Sequence, residues 1–298
     1  LSNNLREMAR DLVMESAVLR KVYLQHKFRV ERKLIKGRHI NDCTRPSVIH
    51  FSMNKAATQY TKTILNRCAR ENGLTPVHFN EYAFFTEFPY LTGLDAKHSR
   101  QYSQIFQPEG YLYSAFGGFV PGVEDLDRYR VILMIRDPRD VLVSWYYSIG
   151  FSHSIPPASS NLQEEYVKRR SQARKMTIDQ HVISESDRIL GILNQYKKAL
   201  LNQHPGVYVT SYERMTQDFS SWLSELLRAC EFEIRPRLFQ ELEENHRELQ
   251  PREEDIRKHL RKGKPGDYQE KLQPDTIDFL NEKLMPSYQA IKSKEKAA

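Results

Sequence analysis

Residues 131–140 read VILMIRDPRD, a run of five apolar residues followed at once by charged residues and a proline. An unbroken apolar run of this length is typical of a strand buried on both faces, as in a parallel sheet. The charged turn breaks the strand, and Asp140 predicts an N-cap for a helix that begins at Val141. The stretch therefore predicts a strand–turn–helix unit with charged residues at the carboxyl end of a buried strand.

The same order of elements recurs on both sides of this unit. Residues 48–51 (VIHF) read as a short buried strand, and residues 60–68 carry one apolar helix face after a small polar loop. Residues 207–209 (VYV) follow a long amphipathic stretch, and the last third of the chain reads as helical. Strands that alternate with helices predict an α/β fold with a central parallel sheet flanked by helices, and ligands beyond the carboxyl ends of the strands.

Most of the excess positive charge lies in the first 40 residues. They hold ten Lys or Arg and four Asp or Glu, a net charge of +6 out of +7 for the chain. Apolar residues recur there at helical spacing, which predicts one or two helices up to about Gly37. We predict a basic helical segment, residues 1–40, and a single domain, residues 41–298. The segment either packs on the domain or contacts a membrane surface or a polyanion.

Composition excludes several classes of protein. No stretch approaches the roughly 20 apolar residues of a membrane-spanning helix, and the charged, amphipathic start does not read as a secretory signal. Residues 41–298 carry almost no net charge, which argues against a nucleic-acid binder. The three cysteines, Cys43, Cys68 and Cys230, match neither a zinc site nor a disulfide framework. We expect a cytoplasmic protein that needs no metal.

A first candidate site is the loop SMNKAATQY, residues 52–60, between a predicted strand and a predicted helix. Such a loop presents backbone N–H groups and the positive end of a helix to an anion. Ala56 and Ala57 are small enough for close approach, Lys55 supplies a cation and Thr58 a hydroxyl. The glycine-containing Walker pattern is absent, so an ordinary ATP-binding loop is not indicated. The alternative is a plain turn with a solvated lysine.

Two more motifs carry cations. Arg136 ends the predicted central strand and Ser144 follows in the next helix, so the pair can clamp one phosphate. The alternative is an ion pair of Arg136 with Asp137 or Asp140. Residues 261–268 (RKGKPGDY) combine three cations with two glycines. They predict a loop that closes over an anionic ligand, or else a solvated basic turn.

Together the three motifs, over residues 46–270, resemble the sulfotransferase family, which uses 3′-phosphoadenosine 5′-phosphosulfate (PAPS). The resemblance implies that Lys55 contacts the bridging and sulfonate oxygens, and that Arg136 and Ser144 bind the 3′-phosphate. It implies adenine contacts for Tyr60 and Tyr212. The full set of nucleotide-binding positions that it implies is Lys55, Ala56, Ala57, Thr58, Gln59, Tyr60, Arg136, Ser144, Tyr212, Arg261, Lys262 and Gly263.

The function that the resemblance implies is transfer of a sulfonate from PAPS to a hydroxyl or amine of a saccharide or a small natural product. Adenosine 3′,5′-bisphosphate (PAP) is then the product, and no metal is involved. Aromatic residues at 79–90 and 111–119 predict the acceptor wall. The alternatives are a nucleotide-dependent phosphoryl transferase on the same fold, and a non-catalytic protein that binds a membrane or polyanion through residues 1–40.

The general base is the least determined part of the site. The sequence lacks the histidine that cytosolic family members carry upstream of the arginine-bearing strand, and Ala57 replaces their loop glycine. Residues 80–85 (NEYAFF) resemble the Lys-Glu-x-His-Phe-Phe stretch of heparan-modifying sulfotransferases, which predicts Glu81 as the base and a raised pKa beside bound phosphosulfate. His78 is the other candidate, and on one strand the two would face opposite sides. Alternatively, Glu81 pairs with a lysine.

Overall fold

A computed structural model describes residues 16–152, 163–249 and 263–295. Its centre is a five-stranded sheet in which all neighbouring strands are parallel, in the order β2-β3-β1-β4-β5. The strands are β1 (Val48–Ser52), β2 (Thr75–Val77), β3 (Tyr111–Phe116), β4 (Arg130–Ile135) and β5 (Tyr208–Ser211). The predicted α/β fold with a central parallel sheet is confirmed.

Helices connect and flank the strands in the described ranges. They are α1 (Ala17–Lys27), α2 (Arg29–Ile35), α3 (Thr58–Glu71), α4 (Phe79–Phe85), α5 (Ala96–Arg100), α6 (Pro138–Tyr147), α7 (Gln163–Lys175), α8 (Ile178–Gln195), α9 (Tyr212–Gln217), α10 (Phe219–Cys230), α11 (Pro236–Glu248), α12 (Tyr268–Lys271) and α13 (Pro274–Lys292). Two π-helical segments, Ser148–Ser152 and Tyr196–Leu201, follow α6 and α8. No helix in these ranges combines the length and apolar character that crossing a bilayer needs.

The strand order creates a crevice at the carboxyl end of the sheet. From β1 the chain passes to the β2 side, whereas from β4 it passes to β5 on the opposite side. The connections after β1 and β4 therefore lead away from each other, although the two strands are hydrogen-bonded neighbours. Such a switch point is where open parallel sheets bind ligands. The loop that contains Lys55 follows β1, and Arg136 follows β4, so the fold places both beside this crevice.

The helix after β4 starts earlier than predicted. Pro138 occupies its first turn, and the side chain of Asp137 accepts the N–H of Arg139 as the cap. The prediction that Asp140 caps this helix is wrong. Proline fits the first turn because its missing N–H has no helical partner there, which lets Asp137 take the cap position.

Strand β3 belongs to the core. All six of its residues are buried, and the hydroxyls of its two tyrosines form hydrogen bonds with backbone groups. Tyr111 accepts the N–H of Ile40, and Tyr113 donates to the carbonyl of Ile105. Within residues 111–119, predicted as part of the acceptor wall, only Gly117 and Phe119 are half-buried, and the wall stays a prediction.

The first two helices pack on the body of the protein. Phe28 and Leu34 are almost fully buried, and Leu34 lies in the same apolar cluster as the central strands. Val18, Leu19 and Val22 of α1 remain exposed. The division into a segment 1–40 and a domain 41–298 stays a prediction, but from Phe28 onward the segment shares the domain's core.

Candidate active site

The loop after β1 keeps a tight turn without glycine. Lys55 and Ala57 both adopt left-handed backbone conformations, with φ of 70° and 56°. This region favours glycine, because a Cβ there lies too close to the backbone. The loop is held from inside: the Thr58 and Ser52 hydroxyls lie 2.8 Å apart, and Thr58 Oγ1 also donates to the carbonyl of Met53. Ala57 thus takes a left-handed conformation at the position where the sequence resemblance places a glycine.

The N-terminus of α3 opens into this loop. Ala57 occupies the N-cap position, and no side chain caps the helix. The N–H groups of the first turn, including those of Thr58 and of the exposed Gln59, are therefore available to donate to an anion. Ala56 is buried, and its N–H donates to the carbonyl of Met53 at 3.0 Å, while its predicted contact with the nucleotide stays a prediction. It shapes the turn, and its amide is already used.

Lys55 reaches across the crevice. Its Nζ donates to the hydroxyl of Ser148, at the start of the first π-helical segment, at 2.9 Å. Burial, together with repulsion from the Arg136 guanidinium, lowers the pKa of Lys55 to about 8. The amine is still mainly protonated at neutral pH. An anion beside it would favour the charged form further.

Arg136 is the most constrained cation of the site, with only 8% of its surface exposed. Its Nη1 donates to the carbonyl of Lys55 at 2.9 Å, and the guanidinium lies 4.2 Å from the centre of the Tyr212 ring. The contact of Nη2 with Asp140 is long, 3.5 Å, and buried Nε has no partner. A buried cation with an unused donor suits an oxyanion ligand.

Asp140 joins the second motif to the third. Its buried carboxylate accepts the N–H of Gly266 at 2.7 Å and that of Tyr268 at 3.0 Å. The backbone of Gly263 is left-handed, with a φ of 71°. Arg261 and Lys262 lie outside the described residues. The anchored end of their loop nevertheless lies against the start of α6, beside Arg136.

Three further predicted residues occupy defined positions. Ser144 is half-buried and lies nearly two turns into α6. Tyr60, in the first turn of α3, packs its ring against Phe219 and His246, and its hydroxyl lies 3.1 Å from His246 Nδ1. Tyr212 lies under the Arg136 guanidinium. These three residues extend from both flanks of the crevice, while their roles in binding stay predictions.

The two base candidates do not share a strand. His78 precedes α4 and Glu81 lies in its first turn. Glu81 pairs with Lys27 at 2.6 Å and with Lys62 at 2.8 Å. Burial alone would raise the pKa of Glu81, but Lys62 and Lys27 lower it to about 2. The lysine pairing considered as an alternative is therefore present, and these contacts oppose the predicted rise.

His78 is held in one neutral form. Its Nδ1 donates to the carbonyl of Ser114 at 3.0 Å, and Nε2 lies 3.5 Å from the Asn66 amide nitrogen. Burial and Lys62 lower its pKa to about 4. Asn66 lies about two helical turns after Thr58 on α3, and is therefore farther along the helix from the phosphate loop. Glu81 instead contacts Lys62, which lies only one helical turn after Thr58.

Sequence reasoning missed three residues that complete this region, Ser148, Lys27 and Glu31, and the long-range role of Asp140. Ser148 holds Lys55, Asp140 holds the third motif, and Lys27 and Glu31 of the first two helices hold the turn at residues 78–81. None has a local signal, because each acts on a residue far away in the sequence. Among the described residues, no cluster of His, Cys, Asp or Glu could hold a metal ion.

A family model described as the sulfotransferase domain matches residues 121–291, more than half of the chain. The chain belongs to the sulfotransferase family. The predicted assignment to a PAPS-dependent enzyme family is confirmed. This favours sulfonate transfer over the phosphoryl-transfer alternative. No curated protein matches the sequence of this sulfotransferase significantly.

Solved structures share the fold of this sulfotransferase at low sequence identity. A mouse sulfotransferase, SULT7A1, complexed with PAP, has a TM-score of 0.50 and 12% identity over 89% of this chain and 90% of its own. A retinol dehydratase in a complex with retinol and PAP has a TM-score of 0.45 and 13% identity over 86% of this chain and 84% of its own. At such identity, the likeness to the mouse enzyme shows the fold alone.

Proposed function

We propose that this sulfotransferase moves the sulfonate of PAPS to a hydroxyl or amine of a small acceptor, with the donor bound across the crevice between β1 and β4. The observation that carries the proposal is the joint placement of Lys55 and Arg136. The Arg136 guanidinium donates to the Lys55 carbonyl, and each cation follows one of two neighbouring strands at the switch point. Two cations in one buried crevice repel each other, and a nucleotide with an anionic group at each end relieves that repulsion.

The donor's two anionic ends suit different parts of the crevice. The 5′-phosphosulfate lies at the uncapped N-terminus of α3, where Lys55 can reach its bridging oxygen. The 3′-phosphate accepts from the unused Nε of Arg136, with Ser144 and the loop at Gly263 beside it. The planar guanidinium suits a phosphate because its donors match two oxygens at once.

The chemistry resembles phosphoryl transfer, in which positioning and charge stabilisation dominate. The acceptor oxygen or nitrogen bonds to sulfur while the bond from sulfur to the 5′-phosphate oxygen breaks. That oxygen keeps the electron pair, and Lys55 stabilises the charge that develops on it. The acceptor proton passes to Glu81, whose pKa, about 2 beside Lys27 and Lys62, is raised by the negative charge of bound phosphosulfate. PAP and the sulfated acceptor are the products.

The acceptor presents a flat or apolar face. The half-buried rings of Tyr82, Phe84 and Phe85 lie on α4, next to Glu81. Phe84 meets Tyr166 of α7 edge-on at 6.4 Å. Such rings suit both aromatic small molecules and the faces of sugars. We therefore propose a small acceptor with one such face beside its hydroxyl or amine.

Nucleotide binding tests the donor half of the proposal. PAP should bind and raise the thermal unfolding temperature, and AMP, which lacks the 3′-phosphate, should do so far less. Arg136→Lys should reduce this difference, because an ammonium cannot replace the fork of the guanidinium. Arg70→Lys, at an exposed position of α3, is the matched control. Equal stabilisation by PAP and AMP contradicts the proposal.

An acceptor screen tests the other half. The protein is incubated with labelled PAPS and a panel of phenols, alcohols, amines and sugars, and products are read by mass. A product heavier by one sulfonate group supports the proposal. PAP release without any sulfated product from the whole panel contradicts the proposed acceptor class.

A further inference from the structure

The turn that carries Glu81 is held by the N-terminal helices. Lys27, the last residue of α1, places its Nζ 2.6 Å from Glu81 Oε1, while Lys62 of α3 lies 2.8 Å from Oε2. Each carboxylate oxygen therefore has its own ammonium. Because the two cations approach from different helices, they hold the carboxylate in one orientation and also favour its ionised form.

Two neighbours of Lys27 strengthen this attachment. The Glu31 carboxylate, only 3% exposed, accepts the N–H of His78 at 2.7 Å. The Phe28 ring packs edge-on against Tyr82, with centroids 5.2 Å apart. The Lys27 ammonium itself lies 4.7 Å from the centre of the Phe85 ring. The junction of α1 and α2 thus docks on α4 through charge, hydrogen bonding and ring contacts.

The same turn is tied to the donor side of the crevice. His78 donates to the carbonyl of Ser114, and the Asn80 amide donates to the carbonyl of Ala115 at 2.7 Å. These carbonyls lie at the end of β3, shortly before Gly117. A Cβ on Gly117 would lie 2.7 Å from Asn54 Oδ1 in the phosphate loop. Close contacts therefore run from Lys27 through Glu81 and the end of β3 to the loop beside Lys55.

We propose that Lys27 is a positioning residue of the sulfotransferase site, which holds the Glu81 carboxylate toward the acceptor. The first two helices then form part of the acceptor side of the active site. This inference rests on the proposed function, in which Glu81 receives the acceptor proton. It also gives one cation of the basic N-terminal segment a role inside the protein.

The charges around Glu81 determine what loss of Lys27 does. Lys62 on α3 remains as a cation, Glu31 on α2 adds a negative charge, and His78 at the start of α4 stays neutral. With one cation gone, the pKa of Glu81 rises from about 2 toward its ordinary value. A higher pKa by itself makes the carboxylate a stronger base, so the expected loss of turnover comes from orientation, because the freed oxygen lets the carboxylate rotate away from the acceptor.

The experiment uses the full chain and four variants, of which Glu81→Gln serves only to assign an NMR signal. Lys27→Met keeps the apolar stem over Phe85 but removes the charge, Lys27→Arg keeps the charge, and Lys33→Met changes an exposed lysine of α2 as the control. Turnover is measured with PAPS and naphthol as the probe acceptor, and PAP binding by calorimetry. The carboxyl pKa of Glu81 is read by ¹³C NMR, with the signal assigned from Glu81→Gln.

We expect Lys27→Met to lower kcat roughly tenfold or more, a modest share of what a general base contributes. Its PAP affinity should stay within about twofold of wild type, since the donor side is unchanged. The Glu81 pKa should rise by a unit or more, and Lys27→Arg and Lys33→Met should resemble wild type in all three measurements. A purely structural role would instead lower the PAP affinity and kcat together.

The possible failures are distinguishable. An unchanged Glu81 pKa in Lys27→Met overturns the inference, as does a loss of PAP affinity that parallels the loss of kcat. The titration needs no turnover, so it tests the contact between Lys27 and Glu81 even when naphthol is a poor acceptor, whereas kcat tests the positioning role. A wild-type chain that does not distinguish PAP from AMP contradicts the proposed function instead.

Discussion

The buried carboxylate of Asp140 accepts the backbone N–H of Gly266 at 2.7 Å, although the two residues lie 126 positions apart in the chain. Its second oxygen accepts the N–H of Tyr268. One side chain thus attaches the end of the glycine-containing loop to the helix that begins beside Arg136. The conformation of that loop near the nucleotide site depends on this carboxylate.

Asp140→Asn should weaken PAP binding about tenfold or more. An amide can accept only one of the two N–H groups well and brings its own N–H₂ toward the other, and hydrogen bonds to a charged group are worth about 1.5–3 kcal/mol. Calorimetry with PAP measures the effect. Asp278→Asn, at an exposed position of α13, is the control. Unaltered PAP affinity in Asp140→Asn would show that the loop does not depend on this contact.

Lys55→Ala should lower kcat by about 10²-fold or more, because Lys55 acts on charge that develops during transfer. The affinity for PAP should change much less. The comparison is PAP release from PAPS in the presence of naphthol against calorimetric PAP binding, with Lys21→Ala at an exposed position of α1 as the control. Near-normal turnover in Lys55→Ala would remove Lys55 from the mechanism.

Ala57→Gly should stabilise the protein by up to about 1 kcal/mol. The left-handed conformation costs an L-residue about 1–2 kcal/mol. Replacement by glycine removes this cost, but glycine loses more backbone entropy on folding, which offsets about 0.5–1 kcal/mol of the gain. Chemical denaturation measures the free energy of unfolding. Ala69→Gly, inside α3 and fully buried, should instead destabilise the protein. A lower stability for Ala57→Gly would contradict the backbone strain at this position.

His50 should make the protein less stable in acid. Burial, with a smaller contribution from Lys62, lowers its pKa from 6.5 to about 3. Between these values the unfolded chain binds a proton that the folded protein does not, so the free energy of unfolding falls as the pH falls. The slope from one such group reaches at most about 1.4 kcal/mol per pH unit.

Denaturation midpoints at neutral pH and near pH 5 test this dependence. His50→Asn should reduce the loss of stability between the two conditions, whereas His26→Asn, at an exposed position of α1, should leave it as in wild type. His78 acts in the same direction, since burial and Lys62 lower its pKa to about 4. An identical acid dependence in wild type and His50→Asn would rule out His50 as a source of the slope.

The geometry around the base candidates, and the cap of the helix after β4, could not be predicted from the sequence. The sequence leaves open whether His78 and Glu81 share a strand. In the structure they begin a helix, with the N–H of His78 donated to Glu31 and the Asn80 amide donated to the carbonyl of Ala115. Those partners come from other parts of the chain. The predicted Asp140 cap failed for a related reason: Asp137 caps the helix locally, and Asp140 is used by Gly266.

The sequence by itself determined the parallel α/β class, the helical N-terminal segment and the positions of Lys55 and Arg136 at strand ends. Each of these depends on apolar periodicity or on a short motif, so neighbouring residues carry the information. Only the tertiary structure decided that β1 and β4 are neighbours, that Asp140 holds residue 266, and that Lys27 and Lys62 share Glu81. These contacts join residues that are distant in the chain. Long polar side chains can satisfy them from many positions, so no local pattern marks them in advance.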